Sequence, residues 1–172
     1  MKKSLLFAML LVLCAVSARA YDTTPLQISF WPPNLQVAPE ELNVSGLKIN
    51  LPFGANQRVS GIDLGIASSN QDCSALQVNL LINRTHGSYS GVEFGLINQH
   101  GNASGVILGG WNVTDDKLHG IEVGVINSAM EVHGIQIGLI NYTEFMTGLQ
   151  IGLVNIITES IVPFFPIINF CF

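Results

Sequence analysis

The stretch "GIQIGLINYTEFMTGLQIGLVN" (residues 134–155) contains the same eight-residue phrase twice, and the two copies are fourteen residues apart. Both copies read Gly, apolar, Gln, Ile, Gly, Leu, apolar, Asn. A fixed period of this kind indicates a repeat architecture with one structural unit per copy. Aligned on its first position, the phrase has eight copies in the chain, which begin at Gly46, Gly61, Ala75, Gly91, Gly105, Gly120, Gly134 and Gly148.

Residue types alternate within the phrase. The second, fourth and sixth positions are apolar apart from the glycine at position 110, the third is mostly polar, and the fifth is Gly or Asn. An apolar period of two is typical of a strand rather than a helix, and each glycine would cost a helix about 1 kcal/mol relative to Ala. We therefore expect each phrase to be a strand that packs its apolar face inward and turns its small, polar face outward.

A further apolar residue lies two positions before each phrase, as Val132 does before Gly134. An odd spacing separates Val132 from Ile135, the next apolar residue. If both side chains point inward, the chain must bend at His133-Gly134.

Strands that recur in this way fit a parallel β-solenoid, in which equal positions of successive coils stack at about 4.8 Å. The Asn that closes most phrases tolerates turn geometry and is expected to form a ladder at one corner of the coil. We predict that this structural ladder contains Asn98, Asn112, Asn127, Asn141 and Asn155. We predict a second ladder on the outward polar face, formed by Glu93, Glu122, Gln136 and Gln150.

An antiparallel alternative remains open at this point. The chain ends in "PFFPIINFCF" (residues 163–172), and a final amphipathic strand ending in Phe is typical of outer-membrane barrels. However, the segments between phrases are all similar, and the three apolar positions span only about 13 Å, whereas a lipid-facing band needs about 25 Å. The pattern favours an all-β, parallel β-solenoid of about eight 14–15-residue coils with N- and C-terminal caps. The alternative is an outer-membrane-type antiparallel β-barrel of about ten strands.

The chain divides into four segments. Residues 1–20 have a basic start, an apolar run and the cleavage pattern Ala18-Arg19-Ala20, which predicts a signal peptide. Residues 21–43, which include the Pro-rich "FWPPNLQVAPEEL", are interpreted as an N-terminal cap. Residues 44–155 form the repeat domain. Residues 156–172 are interpreted as a C-terminal capping strand.

Charge excludes one class of partner. The chain has 7 basic and 12 acidic residues, and cleavage after residue 20 would remove three of the basic ones. The mature chain would then have a net charge of 4 − 12 = −8 and no basic patch to neutralise phosphates. We therefore predict that nucleic acid is not a partner.

The sequence contains no pattern that predicts catalysis. It has no nucleophile motif, phosphate-binding loop or zinc spacing. His119 and His133 both lie directly before the first residue of a phrase. Ser or Thr occupies this position in the other copies, so a surface polar site is favoured over a metal site. Cys73 and Cys171 have no CxxC neighbour, and we interpret them as small buried residues. We predict no enzyme activity and no catalytic, cofactor-binding or metal-binding residues.

The combination of "LQISFWPPNLQVAPEELNVSGLKINLPFG", the repeated "GLQIGLVN" and a Pro-Phe-Phe-Pro segment ending in "NF-x-F" resembles the bacterial surface repeat-containing protein family with GLQIGL(V/I)N repeats. The resemblance implies export and a location at the cell surface or outer membrane. It implies no catalytic residue. We expect an exported, non-catalytic surface repeat protein with a structural or adhesive role, whose partner is an unidentified surface molecule, a second copy or the outer membrane. The alternative is a small outer-membrane β-barrel that acts as a pore or membrane anchor.

Overall fold

The computed structural model describes residues 22–31 and 35–172, so the predicted signal peptide lies outside the described residues. Within these ranges the chain is all-β and has no helix. The strands are β1 (Thr23–Trp31), β2 (Leu35–Gln36), β3 (Asn43–Val123), β4 (Ile126–Ile137), β5 (Ile140–Gly152), β6 (Val154–Ile157) and β7 (Ile167–Cys171). The long β3 is continuous because the chain stays extended around the bends between successive phrases.

Between Trp111 and Ile157, successive copies of the repeat pair side by side in parallel. Asn112 pairs with Asn127, Asn127 with Asn141, and Asn141 with Asn155, so equal positions of the repeat meet. This pairing is that of a β-solenoid and confirms the predicted all-β solenoid class. The antiparallel alternative is wrong, since it would place Asn112 and Asn127 at opposite ends of their strands.

The two ends of the sheet carry additional strands. At the N-terminal end, β1 pairs in parallel with the first phrase, with Leu26 opposite Leu47 and Gln27 opposite Lys48. At the C-terminal end, β7 pairs antiparallel with the end of β5. Strands outside the eight copies therefore add rows to both ends of the sheet.

The orientation of the phrase is the reverse of the prediction. Gln136 and Gln150 are fully buried, whereas Ile137 and Leu139 are 38% and 52% exposed. The expectation that the second, fourth and sixth positions fill the core is therefore wrong. The closing Asn is buried, and two consecutive outward residues, such as Leu139 and Ile140, precede it. Counting towards the N-terminus from these two outward residues, alternation places the fifth and third positions inside and the second, fourth and sixth positions outside.

The coil also contains buried apolar side chains, which lie mainly opposite the inward-facing polar positions of the phrase. They include the residue two positions before each phrase, as predicted from the sequence. These side chains form two clusters. One comprises Val44, Val59, Cys73, Ala75 and Tyr89, and the other comprises Ala103, Ile107, Leu118, Ala129, Val132, Met146 and Ile157.

The chain bends at the first residue of the phrase, where the sequence predicts a bend at His133-Gly134. Gly134 has φ = 149°, a conformation that side-chain-bearing residues rarely adopt. A Cβ at this position would also overlap the carbonyl oxygen of Gly120 in the neighbouring phrase. Glycine is therefore required here by both the bend and the close approach of the two backbones.

Candidate functional site

The predicted Asn residues form a continuous hydrogen-bonded row. Each side-chain amide donates to the Oδ1 of the next Asn at 2.8 Å, from Asn98 through to Asn155. Each also donates to a backbone carbonyl, as Asn127 does to Ile137 O at 2.9 Å. Asn83 extends the row by one member, since it donates to Asn98 at 2.8 Å. An amide carries both donor and acceptor, so stacked copies satisfy one another without water.

This row explains the glycine at the fifth position of the phrase. A Cβ on Gly109 would overlap the amide of Asn98 and the Oδ1 of Asn112. Gly138 has the same relation to Asn127 and Asn141. The fifth position is therefore small because the closing Asn of the coil fills the interior beside it.

The predicted polar ladder is also inside, and its expected outward orientation is wrong. Glu93, Glu122, Gln136 and Gln150 have no exposed surface. Gln150 donates to Gln136 at 2.9 Å, and Gln136 donates to Glu122 at 3.0 Å. The buried Ile107 occupies the equivalent position between Glu122 and Glu93, so the hydrogen-bonded row ends at Glu122.

Burial controls the proton affinity of Glu122. The low-polarity interior raises the pKa of its carboxyl, and the hydrogen bonds donated by Gln136 and by Thr114 at 3.0 Å oppose that rise. A carboxyl whose pKa is raised on folding contributes stability below its unfolded pKa and loses that contribution as pH rises through the folded pKa. Glu122 should therefore reduce the free energy of unfolding increasingly from acidic to neutral pH.

We expect Glu122→Gln to raise the urea midpoint at pH 8 and to leave it almost unchanged near pH 4. A glutamine side chain can still accept from Gln136 and donate to Thr114, while the buried charge is removed. Urea unfolding followed by circular dichroism between pH 4 and pH 8 measures the difference. Glu144→Gln, which changes an exposed carboxylate, is the control and should show a much smaller pH-dependent difference. Parallel curves for wild type and Glu122→Gln would contradict the argument.

A second group of buried titratable side chains lies around His100, a residue that the sequence analysis missed. Its Nε2 is 2.6 Å from Glu93 Oε2, and its ring centroid is 5.0 Å from that of Tyr89. Neither the imidazole nor the carboxylate has a hydrogen-bond partner in regular geometry. Burial raises the pKa of Glu93, and the nearby imidazole opposes this rise. Alternation along the strand from the buried Asn98 places His100, two residues further on, inside the coil.

A third buried polar group lies near the N-terminal end. Lys48 Nζ donates to Asn70 at 2.6 Å and to Ser68 at 3.0 Å, and it lies 3.8 Å from Asp63 Oδ2. Desolvation lowers the pKa of Lys48, and the Asp63 carboxylate opposes this effect. Gln77 and Asn70 also donate to Asp63, which satisfies the buried charge. These contacts give the group a structural role in joining neighbouring phrases.

The histidines at equivalent positions do come together. The rings of His119 and His133 stack with centroids 4.9 Å apart, and His133 Nε2 lies 2.7 Å from Glu131. Lys117 also pairs with Glu131, at 2.8 Å. No cluster of three or more side chains suited to a metal ion occurs in the described part of the chain. Cys73 and Cys171 are both free thiols, and burial raises the pKa of Cys73.

The polar interior leaves an apolar face on the outside of the solenoid. We define this apolar face by the outward side chains at the second, fourth and sixth positions of the eight phrases. No charged residue occupies any of these positions. Phe94 is 52% exposed and Leu153 is 65% exposed, although both are large apolar side chains.

Two shallow grooves run along the apolar face. One, of about 460 Å³, lies over Gly95, Gly109 and Gly124, and the other, of about 430 Å³, lies over Gly124, Gly138 and Gly152. Side chains of the fourth position line one side, and those of the sixth position line the other. The grooves lie between these two ridges because the fifth position between them faces inward and places no side chain on the outer surface.

No protein-family model matches the chain, and no curated protein or solved structure matches it either. Within residues 22–31 and 35–172, no helix has the length and apolar character that a membrane span requires.

Proposed function

We propose that this chain is an exported, non-catalytic surface repeat protein with a structural or adhesive role at the cell surface or outer membrane. In this proposal, the eight phrases stack as one continuous solenoid over residues 44–155. Residues 21–43 cap its first coil, and residues 156–172 cap its last.

One observation carries the proposal: the outside of the solenoid is an extended apolar face, and the acid and histidine side chains of its interior are closed to solvent. Glu93, His100 and Glu122 have no exposed surface, so a substrate could reach them only after the coil opened. Large exposed apolar patches in proteins generally mark interaction surfaces. The arrangement therefore favours association over catalysis.

Two features of the sequence support export. The first is the pattern of residues 1–20, and the second is the resemblance of the repeats, the N-terminal segment and the Phe-rich end to the bacterial surface repeat-containing family. The stacking of the phrases supports the continuous solenoid. For example, Gly61, Gly105 and Gly148 each lie against the first residue of the preceding phrase.

We expect the exported protein to begin at or near Tyr21. Cleavage after Ala20 would remove Lys2, Lys3 and Arg19 and leave the −8 chain described above. Intact-mass spectrometry of protein recovered from the envelope and from the medium measures the N-terminus, and protease treatment of whole cells measures surface exposure. Ala18→Leu, which removes a small residue from the cleavage site, should block processing, whereas Ala8→Leu should not. Full-length protein confined to the cytoplasm would overturn the proposed location.

A further inference from the structure

We propose that the apolar face is the contact surface for a second copy of this chain, and that two solenoids associate through it face to face. This proposal rests on the proposed function, because it names the partner of the surface described there. Three properties of the molecule support it: the extent of the face, its relief and the distribution of charge.

The apolar face extends beyond the eight phrases at both ends. In β1, Leu26 and Ile28 pair with Leu47 and Ile49, and they lie on the same side of the sheet as those residues. In β7, Phe170 pairs with Leu149 and Ile168 pairs with Ile151, while Asn169 between them is buried opposite Gln150. Both flanking strands therefore continue the same apolar surface.

The size of the face fits a stable dimer. Ten rows at about 4.8 Å, each about 18 Å wide once the outer side chains are included, give about 850 Å² per copy. A standard protein interface buries about 800 Å² on each partner, whereas the largest apolar patch on a typical monomer is about 300–600 Å². The face is thus large for a patch that remains in water and about the size that a dimer needs.

The apolar face has both ridges and grooves, so the ridges of one copy can fit the grooves of another. Ridges formed by residues such as Phe94 and Leu139 alternate with the glycine-floored grooves. When two sheets pack face to face at about 10 Å, ridges of one sheet fill the grooves of the other. A two-fold arrangement uses the same patch on both copies, which is the commonest symmetry of homo-oligomers.

Charge favours a second copy over an anionic lipid surface. The exposed basic residues of the described chain are Arg58, Arg84 and Lys117, and all three lie outside the apolar face. Peripheral binding to an anionic membrane usually relies on a basic cluster beside the apolar surface, and a chain of charge −8 would instead be repelled. In a face-to-face dimer, the acidic residues of both copies stay in water.

The test compares two Phe→Glu substitutions with similar exposure. Phe94 is 52% exposed on the apolar face, and Phe145 is 47% exposed on the other side of the coil, where it pairs with Glu131. The exported protein is purified without detergent, and its mass is measured by sedimentation equilibrium from nanomolar to micromolar concentrations. We expect a wild-type dimer, a dissociation constant at least about 100-fold higher for Phe94→Glu, and little change for Phe145→Glu.

Leu139→Glu provides a second variant on the same face and should also give monomer. Urea unfolding of each variant shows that it is folded, so that loss of the dimer is not loss of the fold. A monomeric wild type, or equal weakening by Phe94→Glu and Phe145→Glu, would overturn the proposal. Flotation with neutral phosphatidylcholine vesicles that depends on Phe94 would overturn it in favour of lipid. Each of these results leaves the N-terminal processing and surface exposure unaffected, so failure of the dimer is separable from failure of the proposed function.

Discussion

Gly134→Val is expected to abolish cooperative folding of the solenoid or to lower its free energy of unfolding by about 4 kcal/mol or more. The native φ of 149° would be strained by about 1–3 kcal/mol for a residue with a side chain. The added Cβ would also overlap the carbonyl oxygen of Gly120, which is backbone and cannot rotate away. Total stabilities of about 5–15 kcal/mol leave little margin for such a loss. Far-ultraviolet circular dichroism with urea unfolding measures the effect.

The matched control is Gly110→Val. Gly110 occupies the sixth position of its phrase, where the other phrases carry residues such as Leu96 and Val125, and its φ is not positive. The atoms nearest to a Cβ there are the Cδ1 and the backbone carbonyl oxygen of Leu96, both at 3.0 Å, which is a tight contact but not the overlap found at Gly134. We expect a change of about 1 kcal/mol or less. If Gly134→Val unfolds at the same urea concentration as this control, the bend does not require glycine.

One phrase shows how the bend can be made without glycine. Ala75 occupies the first position of the third phrase and has no positive φ. The backbone at Ala75 therefore differs from that at Gly134, where φ is 149°.

The repeat could be read from the sequence because it is a property of spacing. A nearly constant period with Asn at a fixed place predicts parallel stacking, and the pairing of Asn127 with Asn141 shows it. The bend at Gly134 was predicted correctly from a premise that is wrong, because Gln136 rather than Ile135 is the buried residue that follows it. The sound signal was the recurrence of glycine at the first position, where the backbone needs a positive φ.

Which face of each strand is buried could not be predicted from the sequence in the same way. Burial of apolar residues is the usual driving force, and it assigned Ile137 to the core and Gln136 to the surface. That rule fails here because Gln136 donates to Glu122 and accepts from Gln150, and these hydrogen bonds remove the usual cost of burying its amide. Alternation alone allows either face inside. Only the closing Asn, once it is known to be buried, decides between them.

The same reversal hid the titratable groups. His100 and Glu93 are not adjacent in sequence and belong to no recognisable motif, and they meet only because the coil closes around them. The apolar face was not predicted either, because the sequence pattern assigned its residues to the core. A solenoid with a polar interior has its apolar surface available for association, which is why the proposed dimer follows from the orientation of the strands.

The second large effect is expected for Asn127→Asp, a substitution that changes almost no volume. Asn127 donates to Asn141 Oδ1 at 2.8 Å and to Ile137 O at 2.9 Å, and its own Oδ1 accepts from Asn112 at 2.8 Å. An ionised carboxylate is only an acceptor, so two donated bonds become contacts between oxygens inside a site with no exposed surface. We expect a loss of about 3–5 kcal/mol at pH 7, measured as a shift of the urea midpoint.

The dependence of this loss on pH separates charge from packing. Burial and the facing oxygens raise the pKa of the introduced carboxyl, and its protonated form regains one donor. A group whose folded pKa is raised contributes stability below its unfolded pKa and loses it as pH rises. The difference from wild type should therefore be smaller near pH 4, where one of the two donated bonds is restored, and grow towards pH 7. Asn102→Asp makes the same chemical change at a partly exposed position outside the Asn row, and it should cost about 0.5 kcal/mol or less at every pH. A loss for Asn127→Asp that is equally large at pH 4 and pH 7 would show that packing, rather than the hydrogen-bonded row, holds the coils together.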